Sequence, residues 1–180
     1  KAKIVRDWKH RPEYSPATDF YRTLREAICE MHRTNAPPAS LDEAIDAAPP
    51  AKRPKFKEMV RGYKRWLHAR TSVYSEPKPR VWKSPSGLQV RVGPELDLRF
   101  PQEPRVLVKL YLKTEPMTKA RAELSLQLML AAVGDLAPNR AVSILDVARS
   151  KIYSATAVVP LMRAQLSAEA AYWNELWPHV

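Results

Sequence analysis

The stretch that most limits the fold is residues 88–113, LQVRVGPELDLRFPQEPRVLVKLYLK. Apolar residues alternate with polar ones through LQVRV (88–92), ELDLRF (95–100) and RVLVKLYLK (105–113), and GP and PQEP separate the runs. A period of two is the signature of a strand with two different faces. Three such runs joined by tight turns predict an antiparallel three-strand meander. In the second run, Leu96, Leu98 and Phe100 share a face, and Glu95, Asp97 and Arg99 take the other. In the third, Val106, Val108, Leu110 and Leu112 oppose Leu107, Lys109, Tyr111 and Lys113. If the runs pair, Asp97 and Lys113 look into one space.

Around this core the period is helical. Phe20, Leu24, Ala27, Ile28 and Met31 recur at steps of three and four and predict a helix over 17–33, capped by Thr18 or Asp19. Ser40 with Glu43 forms a capping-box pattern before a short helix at 41–48. Phe56, Met59, Val60, Tyr63, Trp66 and Leu67 form the stripe of a helix at 55–70, which Gly62 weakens by roughly 1 kcal/mol against alanine. From Thr71 the chain is extended and broken by prolines. A helix at 118–133, capped by Thr118 and ending near Gly134, two strands within 140–159 around ARSK, and a helix at 160–177, broken near Ser167, complete the order. The expected fold is α/β or α+β: one domain over 1–180, with a helical part (1–70) and a central mixed sheet with crossing and closing helices (71–180).

Composition narrows the function. No apolar run reaches the length of a membrane span. The basic start has no apolar core behind it and does not read as a signal peptide. The first residue is Lys1, which fits a chain trimmed or cut from a longer one. The lone cysteine, Cys29, excludes an internal disulfide framework and cysteine-rich metal sites, reads as a small packing residue, and makes the cytoplasm the default address. Four scattered histidines make no metal-ligand spacing, and four glycines make no phosphate loop. Tyr63, Trp66, Tyr172, Trp173 and Trp177 read as core anchors. The net charge is +11, and most of the excess lies in residues 52–83, where eleven Lys/Arg face only Glu58 and Glu76. Such a region attracts polyanions, nucleic acid above all, and Lys57, Arg61, Lys64, Arg65 and Arg70 are its candidate contacts. A solvated face, or one meeting an acidic protein partner, is the alternative.

The run VRVGPELDLRF…RVLVKLYLKTEP resembles the core of the PD-(D/E)XK nuclease superfamily in its RecB-like exonuclease branch. Gly93, Asp97, Lys113 and Thr114 match that pattern, and the order of helices and strands is similar over most of the chain. The resemblance implies a restriction-endonuclease-like fold and a Mg²⁺ or Mn²⁺ phosphodiesterase site. In it, Asp97 is the first metal ligand and Lys113 the catalytic lysine. Carboxylates hold the metal, which activates water, and the lysine stabilises developing charge. Position 111, where the second acid belongs, holds Tyr111, and a neutral phenol is a poor Mg²⁺ ligand. Gln127 fits a downstream Gln-x-x-x-Tyr pattern whose last position is Ala131. Glu95, Glu115 and, on the first helix, Glu30 or Glu26 are the candidate replacement acids. The resemblance thus implies a nuclease-fold domain that binds DNA or RNA but is catalytically impaired. The alternatives are an active nuclease with a relocated acid, and a protein-interaction module in a larger complex. A plain cross-strand ion pair is the simpler reading of Asp97 and Lys113.

Overall fold

The computed structural model describes residues 2–10, 19–68, 70–133 and 140–180. The expected helix start at 17–18 and the end near Gly134 lie outside these residues. The elements run α1 (Ala2–Lys9), α2 (Arg22–Arg33), α3 (Leu41–Asp46), α4 (Arg53–Leu67), β1 (Val73–Ser75), β2 (Arg80–Lys83), β3 (Gln89–Val92), β4 (Leu96–Arg99), β5 (Arg105–Tyr111), α5 (Lys119–Val133), β6 (Arg140–Asp146), β7 (Lys151–Ala155) and α6 (Pro160–Leu176). The molecule is α+β, a five-stranded mixed sheet flanked by helices.

The sheet order is β1-β4-β5-β6-β7, and only β5 and β6 are parallel. Helix α5 makes the crossover between them, as parallel neighbours require. The three-strand antiparallel part exists as β1-β4-β5, but not as the expected meander. β3 leaves the sheet and pairs with β2 in a separate hairpin, and β1 takes the place beside β4. The hairpin turns at Gly87, whose φ of +94° is easily reached by glycine, with Gly87 N–H donating to the Ser84 carbonyl at 3.0 Å.

The alternation in β5 sorts its side chains as expected. Val106, Val108, Leu110 and Leu112 enter a core with Leu24, Ile28, Phe56, Met59 and Tyr63 from α2 and α4. Leu107 and Tyr111 enter a second core with Val92, Met117, Ala122, Leu126 and Met129, under α5 and the hairpin. Helix α6 packs on α5 and continues unbroken through Ser167. Thr118 caps α5 through its hydroxyl, which accepts from the Arg121 N–H. Ser40 makes no side-chain cap: a 3-10 turn at Pro38–Ser40 leads straight into α3.

Buried polar groups tie these layers together. Asp146 is fully buried and accepts from the Met117 N–H at 3.0 Å, and Arg149 lies 3.4 Å from its carboxylate while donating to the Thr114 carbonyl. The turn after β5 is fixed this way. His32 stacks on Tyr74, and its Nε2 lies 2.5 Å from the hydroxyl of the fully buried Tyr63. Burial lowers the His32 pKa to about 4 from 6.5. The folded state therefore refuses a proton that the unfolded chain accepts below pH 6.5, so stability falls as pH drops from about 6.5 to about 4. Urea titrations at stepped pH should show this slope, and His32→Gln should flatten it. An unchanged slope in the variant would assign it to other groups.

Candidate anion-binding cleft at the end of β5

Register decides which acid meets Lys113. Asp97 is level with Leu107, and Lys113 lies six residues further along the strand direction. At about 3.3 Å per residue that is roughly 20 Å. Asp97 and Lys113 do not share a site. Asp97, 4% exposed, instead receives two bonds from Arg105, its diagonal neighbour on β5, Nε at 2.5 Å and Nη2 at 2.7 Å. Both oxygens of the expected metal ligand are thereby used.

The acid brought to the Lys113 end is Glu95. A cleft of about 630 Å³ opens there between the start of α2, the end of the hairpin and α5, with Glu95, Tyr111 and Lys113 in its lining. Glu95 sits just before β4, where the sheet partner of β5 runs out. Its Oε2 accepts from the Leu110 N–H at 2.8 Å and replaces the missing strand carbonyl. Its Oε1 is 2.5 Å from Lys109 Nζ and 3.8 Å from Arg25 Nε. Lys109 also donates to the Gly93 carbonyl at 2.9 Å, and Arg25 forms bonds of 3.0–3.2 Å to Asp19. Asp19, Arg25, Glu95 and Lys109 thus form one alternating chain of charge along the cleft wall. Cys29 sits behind it, its thiol 3.5 Å from the Glu95 carbonyl and pushed up to about 11 by burial and then by Glu95.

What remains around the cleft is positive. Arg91, Lys113 and Arg121 line it, are exposed, and make no side-chain ion pair among the described residues. Below them the floor is apolar, with Met117, Met129 and Ile144 all buried. Tyr111 stands where the resemblance expects an acid. Its hydroxyl is buried and has no hydrogen-bond partner among the described residues. Such a group costs about 1–3 kcal/mol, so Tyr111→Phe should stabilise the protein by about 1 kcal/mol in urea unfolding. A comparable loss would mean the hydroxyl holds an ordered water.

The other expected acids are elsewhere. Glu30 is exposed and bound by Arg33, and Glu26 pairs with Arg22 at 2.7 Å. Glu115 is exposed in the turn after β5 and outside the cleft lining. Gln127 is buried on α5 and spans to the segment before α6, donating to the Ala157 carbonyl and accepting from the Val159 N–H at 2.9 Å. Its role is to join layers. Among the described residues no three His, Cys, Asp or Glu side chains gather as a metal site requires. With Glu95 saturated by donors and Asp97 bound to Arg105, the donor set does not fit Mg²⁺ or Mn²⁺.

The basic stretch 52–83 does not form one patch. The hairpin carrying Arg80 and Lys83 packs on the α5 side, and α4 packs on the other side. On α4, Lys57 and Arg61 are exposed and unpaired among the described residues. Lys64 binds Asp42 at 2.7 Å, and Arg65 donates to the Ser150 hydroxyl at 2.8 Å. Arg70 binds Glu103 at 2.6 Å and lies over Phe100. Sequence reading missed Arg25, Arg91 and Arg121, because nothing local marks them; the topology collects them. Lys109 was legible only as a neighbour of Tyr111 on one face.

The chain matches no protein-family model and no curated protein. Among the described residues no helix is long and apolar enough to cross a membrane.

Proposed function

We propose that the chain is a nucleic-acid-associated domain, related in plan to RecB-like nucleases, that binds DNA or RNA without hydrolysing it. One observation carries this reading. At the end of β5 both acids lining the cleft are held by cations, while Arg91, Lys113 and Arg121 make no side-chain ion pair among the described residues. A cleft with spent acids and spare cations attracts phosphate and has no ligands to activate water. Lys57 and Arg61, exposed on α4, add positive charge outside the cleft. The dispersal and tethering of Lys64, Arg65 and Arg70 favour the second reading, a protein-interaction module.

Affinity measured against salt concentration separates the two. Phosphate contacts release counterions, so three of them on a single strand give a log–log slope of about −2. Lys113→Gln should reduce that slope by about 0.7. Absence of salt-dependent binding to DNA and RNA would sink the nucleic-acid reading.

A further inference from the structure

We infer that the cleft at the end of β5 receives one unpaired nucleotide, so that the domain prefers single strands to duplex. The inference rests on the nucleic-acid reading and adds the form of the ligand. Its volume, about 630 Å³, falls in the range of small-molecule sites. Among the described residues its unpaired charge is at the rim, where Arg91, Lys113 and Arg121 are exposed, while Asp19, Arg25, Glu95 and Lys109 on its wall are paired with one another. Its floor is not built for a bare phosphate, because Met129 and Ile144 are buried and apolar. A cationic rim above an apolar floor suits a molecule with an anionic end and a flat, weakly polar body.

An aromatic side chain is also in place. Tyr21 lines the same cleft and is held by Phe56, ring centroids 6.2 Å apart and nearly parallel, and by the edge of Phe20 at 4.7 Å. A ring fixed in this way offers a stacking surface without further ordering, the usual device for sequence-tolerant single-strand binding. A duplex keeps its base faces stacked inside and presents only backbone and groove edges, so it can use the rim but cannot lay a base on the floor. The unpaired nucleotide uses both.

The test uses the full chain in EDTA at fixed salt. Fluorescence anisotropy compares a single-stranded oligonucleotide with a blunt duplex of the same sequence. The parent should bind the single strand at least about tenfold more tightly. Ser125 lies on α5 in the cleft lining, and Ser125→Phe fills the space without changing charge. It should remove that preference while leaving the circular dichroism melt in place. Lys57→Gln with Arg61→Gln, outside the cleft, should weaken both ligands alike. Equal affinity for single strand and duplex would overturn the inference, as would an unaltered preference in a folded Ser125→Phe protein. Either result leaves nucleic-acid binding itself standing. Absence of binding to both ligands would instead remove the reading on which the inference rests.

Discussion

Gly62→Ala is expected to destabilise the protein, although alanine is the better helix former. A Cβ built at Gly62 would lie 2.0 Å from the Val147 carbonyl oxygen and 2.9 Å from that of Ala148. Both are backbone atoms of the turn between β6 and β7 and cannot rotate aside. The same turn is locked to the helix by the Ser150 hydroxyl, which donates to the Gly62 carbonyl at 2.7 Å and accepts from Arg65. Alanine gains roughly 1 kcal/mol of helix propensity. Overpacking against fixed neighbours costs about 3 kcal/mol. The clash wins, and the net loss of about 2 kcal/mol corresponds to a melting temperature lower by about 4–8 °C for a chain of this size. A variant that melts higher than the parent would show that α4 does not touch the turn.

Arg105→Ala should be more damaging than Asp97→Ala, an ordering opposite to that expected of a catalytic aspartate. Removing Arg105 leaves a carboxylate whose side chain is 6% exposed without the cation that pairs with it among the described residues. Breaking a buried pair from that side costs about 3–5 kcal/mol. Removing Asp97 leaves a guanidinium whose side chain is 32% exposed and can turn to water, at a cost of about 1–2 kcal/mol. Urea unfolding of both single variants and the double variant measures this, and the double should lose less than the sum of the singles. Equal losses would mean that the pair is solvated.

The parts of the fold that depend on near neighbours could be read from the sequence. The α4 stripe, the two faces of β5 and the Thr118 cap all follow from local spacing. What escaped was pairing. Alternation says which way a side chain points but not which strand lies beside it, so β3 was placed in the sheet in the position β1 holds. Alternation also leaves the register between β4 and β5 open, which let Asp97 look toward Lys113 and hid Arg105. Gly62 read as a weak point because its reason lies in a turn 85 residues further on. Glu95 read as a candidate replacement acid, yet its side chain is 10% exposed and taken up by Lys109 and by the Leu110 N–H, which needs an acceptor where β4 has ended. The approach of Arg25 to Glu95 likewise appears only once α2 is docked on the sheet.

The central claim is that the β5 end binds nucleic acid and leaves it intact. The most direct measurement incubates excess protein with end-labelled single-stranded DNA, duplex DNA and RNA in Mg²⁺, in Mn²⁺ and in EDTA, and reads binding and fragment length on the same samples. The expected result is binding in all three conditions with no shortening of any substrate. Metal-dependent cleavage by the parent that disappears in Glu95→Gln would contradict it, and would make Glu95 a metal ligand in spite of Lys109 and the Leu110 N–H.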